Sequence, residues 1–187
     1  MFASNFVAAW RMAIIMARIG TLFTQRGWVE ASAQMDVRNG AATYAHGTRT
    51  WVEGVVTDTA GVPVRGAQVE IWQCDHHGHY HHPGDGDRAD PAFQGFGRVA
   101  VDAQGAYRFR TMRPVAYSSR TPHIHVKVKL GERSLLTTQL YVQGDPGNER
   151  DFLWRRLRSD AERAALTVPF VPGPDGLRAR FPIVLAL

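Results

Sequence analysis

From residue 48 onward, apolar and polar positions alternate in short runs punctuated by Gly, Pro and Asp, which predicts antiparallel strands joined by turns. The first run covers residues 51–57 and ends at Asp58-Thr59-Ala60-Gly61; a second, residues 68–73, follows Pro63 and Gly66. Residues 98–102, the turn Ala103-Gln104-Gly105 and residues 107–111 read as one hairpin. Residues 123–130, Gly131-Glu132 and residues 135–142 read as another. Residues 145–166 mix helix caps, charges and an irregular apolar pattern, so one or two short helices are expected there, and residues 181–185 would form a closing strand. The fold class this implies is all-β, an antiparallel β-sandwich with short helices near the C-terminus.

One stretch stands out within that pattern, Arg120-Thr121-Pro122-His123-Ile124-His125-Val126-Lys127-Val128. At a period of two, Ile124, Val126 and Val128 point to one face, and His123, His125 and Lys127 point to the other, as in a strand half buried against a core. The strand rise leaves the two imidazoles roughly 6.5 to 7 Å apart at Cα, close enough for both rings to converge on one metal ion. A His-x-His pair facing solvent is the competing reading at this point.

The chain has 187 residues, with 44% hydrophobic and 21% charged, enough for one domain with a core of its own. A net charge of +5 and a pI near 9.9 raise nucleic acid as a partner, but the Lys and Arg residues are scattered among Asp and Glu without a basic run, so no nucleic-acid binding is expected. The field suits a small anionic substrate equally well. The single cysteine, Cys74, allows no intrachain disulfide and no CxxC pair. The apolar stretch at residues 6–23 is interrupted by Arg11 and Arg18, so no stable membrane span is expected. We divide the chain into an N-terminal extension, residues 1–47, and a main domain, residues 48–187. The extension reads either as an export signal with Ala31-Ser32-Ala33 as cleavage site or as a disordered segment. A cytoplasmic location is the expectation, with a periplasmic one if the signal operates.

The loop from Cys74 to Asp85 holds five of the eight histidines: His76, His77, His79, His81 and His82. Such a tract either binds zinc, nickel or copper at a surface or simply joins two strands. Around the His123–His125 pair the usual ferrous and zinc signatures are missing, because no histidine has Asp or Glu two places later and no His-Glu-x-x-His occurs. The remaining oxygen donors nearby in sequence are the phenols of Tyr117 and Tyr80. Phenolate is a hard anionic donor that needs a strongly charged metal to displace a proton whose pKa is ordinarily near 10. Ferric iron meets that need.

Tyr80, the run Gly105-Ala106-Tyr107-Arg108-Phe109-Arg110-Thr111, Tyr117, Arg120-x-x-His123-Ile124-His125 and Leu136-Thr137-Thr138-Gln139-Leu140-Tyr141 together resemble the intradiol ring-cleavage dioxygenases, the family of protocatechuate 3,4-dioxygenase and catechol 1,2-dioxygenase. The resemblance runs from about Trp51 to Asp151 and is to compact members of the family. Its opening part, residues 52–72, is similar to prealbumin-like sandwich modules. The resemblance implies non-haem Fe(3+) held by Tyr80, Tyr117, His123 and His125, with Arg120 stabilising negative charge on the substrate ring and Gln139 beside it. It implies a catechol-type small-molecule substrate and O2, both oxygen atoms entering the product, a muconate-type dicarboxylate, and a homo-oligomer. Larger members carry a longer insertion between the second tyrosine and the His pair, where this chain has only Ser118-Ser119-Arg120-Thr121-Pro122. Two readings of other classes stand beside it: an inactive sandwich binding module, and a metal-binding protein built on the His-rich loop. His79, His81 and His82 are expected to face solvent, and Trp72 to pack in the core.

Overall fold

The computed structural model of the protein describes residues 34–36, 38 and 41–187; the apolar stretch and the cleavage motif discussed above lie outside them. Two five-stranded sheets face each other. The first is built on β1 (Arg49–Asp58), which pairs along its length with β4 (Ala106–Met112) and, on its other side, with β9 (Gly176–Arg180) and then β10 (Ile183–Leu185). β8 (Val171–Gly173) closes its edge beside β9. The second sheet has the order β3 (Phe96–Ala100), β2 (Ala67–Trp72), β5 (His123–Leu130), β6 (Arg133–Val142) and β7 (Thr167–Val168). Short 3-10 turns at Asn148–Arg150 and Trp154–Arg156 and one helix, α1 (Asp160–Leu166), occupy the predicted helical stretch. Ser159 caps α1 by accepting the Glu162 amide.

Between the sheets, Val52, Val56, Phe109 and Ala179 from one side meet Ile71, Ile124, Val126, Val128 and Leu140 from the other, all fully buried. Each such aliphatic side chain contributes about 1.5–3 kcal/mol through burial. Met35 joins this core, and Asp36 below it is tied to Arg49 and Arg110, so residues 34–36 belong to the same body.

Two expectations need correction. Residues 98–102 and 107–111 do not form a hairpin: β3 pairs with β2 in one sheet and β4 with β1 in the other. The tight turn is present, with Asp102 accepting the Gln104 and Ala106 amides, but both strands carry inward apolar residues and each is drawn to its own sheet. The sandwich is also not purely antiparallel. β9 and β10 run parallel to β1, and β7 runs parallel to β6. The chain changes partners at Gly54, where a Cβ would fall 2.2 Å from the Phe181 carbonyl oxygen, so glycine is required there.

Candidate metal centre

The predicted alternation on β5 holds, with Ile124, Val126 and Val128 inward, but on the opposite face His123 and His125 are not solvated, while Lys127 stays half-buried. His123 and His125 are as buried as the core, because the connections at residues 73–95 and 143–157 fold over that face. Sheet register then aligns the site. His125 lies opposite Trp72 on β2 and Gln139 on β6, and His123 lies opposite Tyr141. Tyr141 was detectable in advance, since it follows Gln139 at the strand period. Trp72 is not a core residue as expected. It is half-buried and stacks flat on the His125 ring, centroids 4.8 Å apart at 3°.

The two imidazoles face each other with their Nε2 atoms 3.2 Å apart. His123 Nδ1 donates to the Thr121 carbonyl 2.6 Å away, which leaves its Nε2 as a lone pair. Gln139 Oε1 accepts from Arg120 at 2.6 Å and from the Tyr141 hydroxyl at 2.7 Å. With its oxygen so held, its amide nitrogen faces His125 Nδ1 at 3.2 Å. Burial first, then the positive charge of Arg120, lowers the His123 pKa to about 4; burial and the neighbouring His123 and Arg120 hold His125 well below its ordinary value. Both rings are therefore neutral near pH 7, the form that binds a metal.

Tyr80 and Tyr117 complete the cluster. Their rings meet edge to face with centroids 4.8 Å apart, and the Tyr80 ring is 6.4 Å from that of His125. Tyr80 sits in the loop after β2. That loop is shaped by buried Asp75, whose carboxylate accepts the His77 and His79 amides at 2.9 Å and the Asp90 amide at 2.6 Å. Asp85 holds the Tyr80 amide at 2.8 Å. Tyr117 opens a two-residue turn, Ser118-Ser119, closed by paired backbone bonds with Arg120. Ser118 adopts φ 54°, the left-handed conformation a tight reversed turn demands. The turn puts Tyr117 and Arg120 side by side. Burial raises both phenol pKa values; Asp85 raises that of Tyr117 further through its charge and by accepting the phenol proton. The sequence carried no signal for Asp85.

Arg120 is anchored by buried Asp151, 2.7 Å from its Nε, and its guanidinium lies over the Phe152 ring at 5.1 Å. His81 and His82 do not behave as solvent-facing loop residues. His81 Nε2 donates to the Phe93 carbonyl at 2.6 Å, and His82 Nδ1 accepts the Gly84 amide at 2.9 Å. His79 is half-buried.

The donor set fits one highly charged cation. Two imidazole nitrogens each about 2.1 Å from a shared ion at roughly a right angle stand about 3 Å apart, close to the observed His–His spacing. Among the described residues, no three His, Cys, Asp or Glu side chains converge on a point, and the side chain with an oxygen donor beside the His125 ring is Tyr80.

The sequence model of the dioxygenase family matches residues 20–159. Hydroxyquinol 1,2-dioxygenase of Corynebacterium glutamicum is 32% identical over 85% of this chain and 60% of its own length. The protocatechuate 3,4-dioxygenase beta chain of Burkholderia cepacia is 43% identical over 54% of this chain and 47% of its own. This chain thus spans about three fifths of the length of the hydroxyquinol enzyme. Among solved structures, the dioxygenase domain of a carbohydrate-binding fusion protein from Streptomyces sp. SirexAA-E superimposes with TM-score 0.63 at 28% identity, over 88% of this chain and 96% of that one. An intradiol ring-cleavage dioxygenase from Tetranychus urticae shares the fold, with TM-score 0.68 at 20% identity over 87% and 89% of the two chains. By the family match, the buried His pair flanked by two phenols and the shared sandwich, the chain belongs to the intradiol ring-cleavage dioxygenases.

Proposed function

We propose that the protein is a non-haem ferric dioxygenase that cleaves a catechol-type ring between its two hydroxyl-bearing carbons, with Tyr80, Tyr117, His123 and His125 as the iron ligands on a prealbumin-like core. The observation that supports this reading is the buried, neutral His123–His125 pair with the Tyr80 ring beside His125 and the half-buried Tyr117 ring against Tyr80. When bound there, ferric iron would supply the Lewis acidity that takes a catechol through both oxygens and the electron affinity that makes its ring reactive to O2.

The chain's own residues have separable tasks. A catechol that binds through both oxygens sheds two protons, and Tyr117, half-buried beside Tyr80, would take one as its tyrosinate. Arg120 is a fixed positive charge beside the His pair, with only 11% of its side chain exposed, so it stabilises negative charge on the ring with little competition from water. Gln139 bridges Arg120 to His125 and orients both. The hydroxyquinol and protocatechuate names of the relatives make a polar-substituted catechol the substrate class to test first.

The test is the visible spectrum of the ferric-loaded protein. A broad tyrosinate-to-iron band that shifts when catechol is added without oxygen supports the reading, and Tyr80→Phe should lose both band and turnover. A colourless protein that instead takes up zinc or nickel would overturn it.

A further inference from the structure

Arg120 is long, has many rotamers and starts from a strained turn, so its own backbone does not fix where its charge stands. The fixing comes from the segment after β6. Both carboxylate oxygens of Asp151, a residue with no exposed surface, are committed. Oδ1 accepts the backbone amides of Leu153 at 2.9 Å and Trp154 at 3.0 Å, with a longer bond from Arg120 Nη2 at 3.4 Å. Oδ2 accepts Arg120 Nε at 2.7 Å and the Thr121 amide at 3.1 Å. The carboxylate is a rivet between a folded turn and the site's cation. At its far end the guanidinium meets Gln139 Oε1, which Tyr141 also holds, and the amide of Gln139 faces His125.

We propose that Asp151 is a positioning residue of the reaction: it locks the Arg120 guanidinium against Gln139, and so decides where positive charge stands beside His123 and His125. This rests on the dioxygenase reading. An isosteric amide at 151 has one oxygen for two sets of donors, and its NH2 turns a donor towards either Arg120 or the backbone amides. Asp151→Asn therefore releases Arg120 without opening a cavity.

The experiment compares wild type, Asp151→Asn and Asp151→Glu, each with and without ferric iron. In the iron-free protein the Arg120 Nε–H proton resonance, identified by its disappearance in Arg120→Lys, should be shifted and slow to exchange in wild type. It should be lost in Asp151→Asn and partly restored in Asp151→Glu. In the ferric protein kcat for catechol should fall on the order of 10- to 100-fold in Asp151→Asn, with KM changed less than about threefold, and Asp151→Glu should fall between. An Nε–H signal unchanged in Asp151→Asn overturns the proposal. So does a lost signal with kcat intact, or a lowered melting temperature as the only change. A ferric wild type that turns over no catechol sinks the dioxygenase reading and this proposal with it, whereas an active wild type with an unmoved signal sinks this proposal alone.

Discussion

The molecule holds two populations of histidine, and they are opposites. The loop after β2 is dense in imidazoles but spends them on its own architecture. His81 donates to the Phe93 carbonyl, His82 caps the turn at Gly84, and His76 and His77 lie exposed, with the His77 backbone amide tied to Asp75. The strand β5 has just two. Both are buried, neutral and aimed at each other across 3.2 Å. A metal needs rings that are pre-aimed and not doubly protonated, and burial on a rigid strand supplies both conditions, while local abundance supplies neither. The loop matters to the site chiefly because it carries Tyr80.

The largest expected effect comes from attacking each population in turn. His123→Ala or His125→Ala should abolish ferric binding and catechol turnover, measured by iron content and oxygen uptake; His76→Ala with His77→Ala should leave both within about twofold. If the loop double variant lost the iron, the contrast would be reversed.

Next in size is Tyr117, which stands with the strand pair although it sits in a turn. Tyr117→Phe should lower kcat by on the order of 10²-fold and change the visible band of the ferric protein, because it removes a donor and a proton acceptor together. An unchanged spectrum would place Tyr117 outside the site.

Acid should act on the strand pair through stability. Burial, then the charge of Arg120, holds His123 neutral down to about 4, whereas an unperturbed imidazole titrates at 6.5. As pH falls, the unfolded chain takes up the proton first, so the stability present above 6.5 is lost progressively towards 4. That one buried ring accounts for about 3 kcal/mol of the loss. The melting temperature of the iron-free protein should fall over this interval, and His123→Asn should flatten the dependence.

The smallest effects lie in the loop itself. His81→Ala should cost about 1 kcal/mol through the lost bond to Phe93, and His82→Ala about 0.5–1 kcal/mol through the lost cap, both read as lower melting temperatures with iron still bound. Loss of iron in either would mean that loop architecture and metal site are one unit.

Much of this was legible along the chain. Strands β1, β2, β4, β5, β6 and the 3-10 and helical stretch after β6 follow from period-two alternation and from turn residues, and Tyr80, Tyr117, Arg120, His123, His125 and Gln139 from spacing and resemblance. The short strands β7, β8 and β9 were not anticipated: β7 and β8 have two and three residues, and the five of β9 follow a run of prolines and glycines, too little to show a period. Nor were Asp85, Asp151 or the stack of Trp72 on His125, since each depends on a partner that is distant in sequence or in another strand.

By itself, then, the sequence determined which side chains share a face of β5, because the alternation of a strand is a property of its own backbone. It also set the chemistry on offer: neutral imidazole, phenol and guanidinium. Tertiary structure alone decided that His123 and His125 would be as dry as the core, that β3 and β4 would part into different sheets, and that Arg120 would be pinned by a carboxylate 31 residues downstream. Burial, sheet register and long-range ion pairing are set by the packing of segments far apart in the chain, and no local pattern encodes where those segments meet.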